Sequence, residues 1–229
     1  MCTTCGCGQT HHHHHDETEE IRLEADILGR NNAYAAENRA LFISHGIKAF
    51  NIVSSPGSGK TSLLEATARA LQGHRPIAVI EGDQATANDA DRIMALGVSA
   101  VQINTRNGCH LDAHMVRHAV EDLRPADGSL LFIENVGNLV CPAMFDLGET
   151  SRVVVISVTE GDDKPLKYPY MFESADICVI NKIDLLPYVD SDIERIKRNV
   201  LTVNPSMRFF ALSATKGVGM DSWLDFLTA

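Results

Sequence analysis

Residues 47–229 alternate between short apolar runs and longer stretches with helical spacing. The apolar runs are Ala49 to Val53, Ile77 to Ile80, Val98 to Ile103, Leu130 to Ile133, Val153 to Val158, Ile177 to Ile180 and Phe209 to Leu212. Strands alternating with helices at this spacing mean βαβ units. The pattern predicts an α/β domain, a mainly parallel sheet flanked by helices, with ligands at the C-terminal ends of the strands.

The preceding residues follow a different rule. Ile21, Ala25 and Leu28 recur at helical spacing, and the pattern runs through Leu41 and Ile43 until Gly46 offers a stop, although Gly29 weakens its middle. Residues 17–46 are therefore expected to form a helical lead-in to the domain at 47–229. Residues 1–16 are rich in cysteine, glycine and histidine and have almost no apolar side chains, so they are expected to be a flexible, disordered arm that buries no core.

With 229 residues, 45% of them hydrophobic and 22% charged, the chain has material for one well-buried domain and an appendage. Its net charge of −10 argues against a nucleic-acid partner or an anionic membrane surface, which would need clustered Lys and Arg. Met1 to Thr10 lacks the basic and apolar segments of a secretory leader, and no 18-residue apolar run follows, so a cytoplasmic location is expected. Three of the six cysteines crowd into the first seven residues, where a shared metal fits better than a disulfide framework.

The chemistry begins at Ser54-Ser55-Pro56-Gly57-Ser58-Gly59-Lys60-Thr61, which follows the first apolar run and opens a helical pattern, Ser62 to Leu71. That is the context of a phosphate-binding loop. Gly57 and Gly59 let N–H groups, including that of Ser58, turn toward phosphate oxygens, Lys60 brings a charge to the β- and γ-phosphates, and the Thr61 hydroxyl can ligate Mg²⁺. The loop departs from the usual pattern at its first position, where Ser54 replaces glycine.

Asn181-Lys182-Ile183-Asp184 follows another apolar run, roughly 120 positions after the loop lysine. The Asp184 carboxylate can accept both N1–H and the exocyclic amine of guanine, a donor pair that adenine lacks, while the Lys182 stem lies along the ring. Ser213-Ala214-Thr215 resembles the segment that closes over guanine O6 with backbone N–H groups in GTPases. Glu134 and Gly137 end the fourth run, where an acid can hold Mg²⁺ and a glycine N–H can meet the γ-phosphate. Asp83, after the second run, is placed either to join the Mg²⁺ shell or to cap the following helix. Asn138 stands where a water-orienting glutamine would be, so hydrolysis is expected to be slow.

Cys2, Cys5 and Cys7 gather three thiolates on a glycine-containing segment, a set suited to Zn²⁺, Ni²⁺ or Cu⁺. His11 to His15 reads as a natural metal-storage tract, although an added tag would have the same chemistry. Cys109-His110 follows the third run, and Cys141 leaves the segment of Glu134 and Gly137, so these three can assemble near the nucleotide end of the sheet. Cys141 could instead be a buried structural cysteine. Cys178, within a strand, is expected in the core, and His114 and His118 at the surface.

Together with the arm and the phosphate loop, Glu134-Asn135-Val136-Gly137-Asn138-Leu139-Val140-Cys141-Pro142 and Thr159-Glu160-Gly161-Asp162-Asp163-Lys164-Pro165 give the whole chain a specific resemblance to the HypB family of hydrogenase nickel-incorporation GTPases. The resemblance implies a P-loop NTPase of the SIMIBI class that binds GTP and GDP with Mg²⁺ and dimerises with GTP. It also implies Ni²⁺ and Zn²⁺ as metals, a HypA-type nickel/zinc accessory protein as partner, and a [NiFe]-hydrogenase large-subunit precursor as recipient. Cys2, Cys5 and Cys7 would form a tight metal site, and Cys109, His110 and Cys141 a second. Urease accessory GTPases carry a Cys-Pro-His metal motif, whereas here Ala143 follows Cys141-Pro142. A metal-storage protein with a vestigial nucleotide fold is disfavoured by the intact Lys60, Thr61, Glu134 and Asp184.

Overall fold

The computed structural model describes residues 17–83, 88–105 and 108–229. The thiols of Cys2, Cys5 and Cys7 and the tract His11 to His15 lie outside the described residues. Each of the seven apolar runs forms a strand: β1 Lys48–Ser54, β2 Ile77–Asp83, β3 Ser99–Asn104, β4 Leu130–Glu134, β5 Ser151–Ser157, β6 Ile177–Asn181 and β7 Arg208–Ala211. Every pairing is parallel, in the order β3-β2-β4-β1-β5-β6-β7. The helices are α1 Glu17–Ser44, α2 Lys60–Leu71, α3 Asn88–Met94, α4 Ala113–Leu123, α5 Lys164–Lys167, α6 Pro169–Glu173, α7 Ile193–Val203 and α8 Met220–Thr228.

The central strands are buried along nearly their whole length because helices cover both faces of the sheet. On one face Phe50, Phe132, Leu64 and Trp223 pack into a single core, with the Trp223 indole N–H donating to Thr67 Oγ1 at 3.0 Å. On the other, Ala78, Ile80 and Leu131 meet Val116 of α4 and Phe42 of α1. Burial of each large side chain contributes about 1.5–3 kcal/mol, so the sheet is a rigid base for the loops at its C-terminal edge.

Helix α1 runs unbroken through Gly29 and stops at Ser44, with Gly46 taking the left-handed conformation at φ 64° that ends the segment. It packs against α4, and among the described residues no helix is long and apolar enough to cross a membrane.

Candidate nucleotide and metal site

Because β1 lies between β4 and β5 at the middle of the sheet, the loop leaving it opens where the chain connections diverge, the usual place for a ligand in such folds. Gly57 and Gly59 have φ of 78° and 97°. A Cβ at Gly59 would lie 2.6 Å from Asn181 Nδ2, so close approach as well as backbone conformation requires glycine there. The serine at the loop's first position is accommodated because Ser54 still belongs to β1, and its hydroxyl accepts a hydrogen bond from Lys60 Nζ at 2.9 Å. A cleft of about 560 Å³ opens above, lined by Gly57, Gly59, Lys60, Thr61, Ser62, Glu134 and Gly137.

Register carries the acidic residues to the same place. Glu134 pairs with Ile52 of β1 on one side and with Glu81 of β2 on the other. Thr61 Oγ1 donates to Glu134 Oε1 at 2.9 Å, so a hydroxyl and a carboxylate already share the spot where a hard cation would find oxygen ligands. Glu81, 3% exposed, lines the same cleft, although the sequence reading assigns it no role. Asp83 closes β2 opposite Asn104, and its side chain lies outside the described residues. A Cβ on Gly137 would meet Pro56 Cα at 3.2 Å, so the segment after β4 packs tightly on the phosphate loop.

On the base side Asn181 acts as a stitch. Its amide donates to Ser58 O at 3.0 Å, while its carbonyl accepts from Ala214 N at 3.2 Å and Lys182 N at 2.8 Å. Lys182 is held at φ 61°, a strained state for a residue with a Cβ, and its Nζ reaches Gly57 O at 2.6 Å. Asp184 Oδ1 is buried with no partner among the described residues, the condition expected of an acceptor reserved for a ligand. The Ser213 N–H donates to Val218 O at 2.8 Å. Both N–H groups expected at guanine O6 are thus engaged within the protein, and Ala214 N would have to be shared with Asn181.

The second cluster forms across β2. Cys109-His110 comes from the loop between β3 and α4, and Cys141 opens a 3₁₀ turn, Cys141–Met144, after β4. Their ligand atoms all lie within 4.8 Å of one another. Cys109 Sγ sits 3.5 Å from His110 Nδ1, and Asn138 Nδ2 donates to Cys141 Sγ at 3.5 Å. The His110 ring stacks on Phe145 with centroids 3.9 Å apart. The hydrogen bond to Cys141, then burial, pushes the Cys109 thiol above its ordinary value. Burial pulls His110 below the usual imidazole value, against the pull of Asp112, so the ring is neutral and available as a donor ligand.

The segments that follow these residues are tied together by α1. Asn31 donates to Asp146 O at 2.8 Å and accepts from Ala113 N at 2.9 Å, while Asn38 donates to Ala113 O at 2.8 Å and Leu147 O at 3.1 Å. Arg39 forks onto the Asp146 carboxylate at 2.7 and 2.8 Å. One helix thereby joins the segment following His110 to the segment following Cys141. Asparagine is a poor choice inside a helix, and that was the one available sequence signal. His114 and His118 are exposed as expected, with their Nε2 atoms 3.0 Å apart, and Cys178 is core, its thiol pushed far up by burial.

The family model for the CobW/HypB/UreG nucleotide-binding domain matches residues 48–211. The hydrogenase maturation factor HypB of Azotobacter chroococcum is 55% identical over 97% of this chain and 73% of its own. Among solved structures, the hydrogenase maturation factor HypB from Archaeoglobus fulgidus has a TM-score of 0.81 at 41% identity, covering 87% of this chain and 98% of its own. HypB from Helicobacter pylori, solved in complex with nickel, has a TM-score of 0.81 at 39% identity, covering 87% of this chain and 94% of its own.

Proposed function

The chain belongs to the CobW/HypB/UreG nucleotide-binding family and, within it, to the hydrogenase maturation factors HypB, and on that premise we propose that it is a Mg²⁺-dependent GTPase that delivers nickel to a [NiFe]-hydrogenase precursor. Guanine choice is supported by the buried, unpartnered Asp184 Oδ1 and by Lys182 arched over the loop. Thr61, Glu134 and Asp83 would hold Mg²⁺, which shields phosphate charge as the γ-phosphoryl group leaves. Lys60 binds the β- and γ-phosphates, Asn181 holds the phosphate and base loops together, and Gly137 brings its N–H toward the γ-phosphate. With Asn138 in place of a water-orienting glutamine, turnover is slow and the protein is a timed switch.

The observation that carries the nickel reading is the convergence of Cys109, His110 and Cys141 within 4.8 Å, with Cys141 on the segment that begins at Glu134 and Gly137. Two thiolates and a neutral imidazole suit Ni²⁺ and Zn²⁺, and three donors from one chain leave room for a fourth. The nickel-bound relative supports nickel as the cargo. Exposed apolar side chains around a surface cavity of about 820 Å³ next to Cys141 in the chain, Val140, Met144, Leu166 and Tyr170, support a homodimer interface at this face, and the proposal makes that dimer GTP-dependent. Cys2, Cys5 and Cys7 form a separate, tighter site on the arm, and a HypA-type nickel/zinc protein is the exchange partner.

The test is a metal titration in a Cys2/Cys5/Cys7→Ala variant, with GDP and with a non-hydrolysable GTP analogue. Nickel and zinc affinities should differ about tenfold between the two states, a coupling of about 1.4 kcal/mol, and by reciprocity metal should shift the preference between nucleotides equally. Both effects should vanish in Cys109→Ala and Cys141→Ala. Equal affinities in the two nucleotide states would remove the coupling.

A further inference from the structure

The run Thr159-Glu160-Gly161-Asp162-Asp163-Lys164-Pro165 follows β5, and no step of the proposed reaction uses it. Its Glu160 nevertheless lies against the phosphate loop. Oε1 accepts from Ser58 Oγ at 2.7 Å and from Ser157 N at 2.9 Å, and Oε2 accepts from Ser55 Oγ at 2.5 Å. Lys164 Nζ lies 3.3 Å from Oε2, and the two side chains are only 19% and 13% exposed. A loop carboxylate ordinarily satisfies N–H groups of its own turn. Here two of the donors are hydroxyls of the phosphate loop, about a hundred positions earlier in the chain, and both serines are buried.

The far end of the run is pinned as well. The Asp162 carboxylate accepts from Ser191 Oγ at 2.6 Å, from Asp192 N at 3.2 Å and from Arg195, and the Asp162 carbonyl accepts from Asn199 at 2.8 Å. Glu160 therefore stands on a post anchored to β5 and α7, and the loop is tied to the post. A phosphate cradle works only while its N–H groups point inward, and the two serine hydroxyls, turned under the loop by Glu160, hold the backbone that carries them.

We propose that Glu160 is a positioning residue that keeps the phosphate loop in its anion-binding shape by acting through Ser55 and Ser58. The inference rests on the reading of that loop as the nucleotide site. Because the cradle is the same for di- and triphosphate, the effect falls on binding of both rather than on the chemical step. Its sign is diagnostic: Glu160 is an anion beside a phosphate site, so charge alone would make Glu160→Gln bind nucleotide more tightly, whereas loss of positioning makes it bind more weakly.

In the 229-residue chain, Glu160→Gln should weaken GDP and a non-hydrolysable GTP analogue alike, by about tenfold, as expected for downgrading charge-assisted hydrogen bonds. KM should rise in step while kcat stays within about threefold. Ser55→Ala/Ser58→Ala, which keeps Glu160, should show the same loss, and combining all three substitutions should cost no more than either set alone, since both act on one contact. Unchanged or tighter binding in folded Glu160→Gln, a loss confined to kcat, or losses that add in the combined variant would overturn the proposal. Should Glu160→Gln fail to fold, unchanged affinity in Ser55→Ala/Ser58→Ala would overturn it equally. The parent is titrated alongside: no guanine nucleotide binding there would sink the functional reading itself, while normal parental binding with equal binding by the variants sinks this inference alone.

Discussion

The nucleotide cleft and the Cys109-His110-Cys141 cluster sit at the same edge of one sheet, yet they are built by different means. The cleft is assembled from the loops leaving central strands, and chain geometry at Gly57, Gly59 and Gly137 shapes it directly. The cluster draws its ligands from segments on either side of β2, and its backing comes from α1, which takes no part in the sheet. The turn of the phosphate loop is set by local backbone conformation at its glycines, whereas the cluster depends on whatever ties the segments of Cys109-His110 and Cys141 together. The two should therefore fail independently when different parts of the chain are altered.

The harshest trial of that contrast is Lys60→Ala. Removing the charge from the phosphate site should cut turnover by about 10²–10³-fold or more, the usual loss when one preorganised donor is removed from a transition state. Nickel affinity of the Cys109 cluster without nucleotide should stay within about twofold in the same protein, measured with Cys2, Cys5 and Cys7 replaced by alanine. A large fall there would mean that the two regions are one structural unit.

The converse alteration is Asn38→Ala. It leaves Ala113 O and Leu147 O without their buried donor, which should cost about 1–3 kcal/mol in chemical denaturation. Metal affinity of the cluster should fall several-fold because the segments after His110 and Cys141 lose their common tie, while GDP affinity should not move. Equal losses at both sites would erase the distinction drawn between them.

Acidity offers the gentlest probe. The Cys109 thiol stands above its ordinary value because of its hydrogen bond to Cys141 and its burial, so binding a metal there displaces a proton near neutral pH. His110, lowered by burial, is already neutral and displaces none. Metal affinity should therefore rise between pH 7 and 8, by up to about tenfold for the Cys109 proton displaced, whereas GDP affinity should change little. A flat metal titration over that range would show that the Cys109 thiol is not a ligand.

Much of this architecture is written in short windows of sequence. Seven apolar runs became seven strands with ends no more than three residues off, and the segment Ser54 to Thr61 leads from the end of β1 into the start of α2. Cys109, His110 and Cys141 were nameable from residue type and from their place after strands, and the structure brings them together. Asn31, Asn38 and Glu160 were not nameable as supports. Their partners lie about a hundred positions away, and an asparagine in a helix or a glutamate in a loop has many unremarkable uses.

By itself, then, the sequence determined what depends on neighbours along the chain: strand and helix periodicity, the glycines of the phosphate loop, the phosphate and base motifs, and the Cys and His side chains offered as candidate ligands. Only the tertiary structure decided which groups hold those motifs in place. It gave the Ser54 hydroxyl to Lys60, placed Glu81 beside Glu134, and made α1 the tie behind the Cys109-His110-Cys141 cluster. The physical reason is that backbone conformation responds to local sterics and solvent exposure, whereas a buried polar side chain must find its partner wherever packing brings one, at whatever distance along the chain.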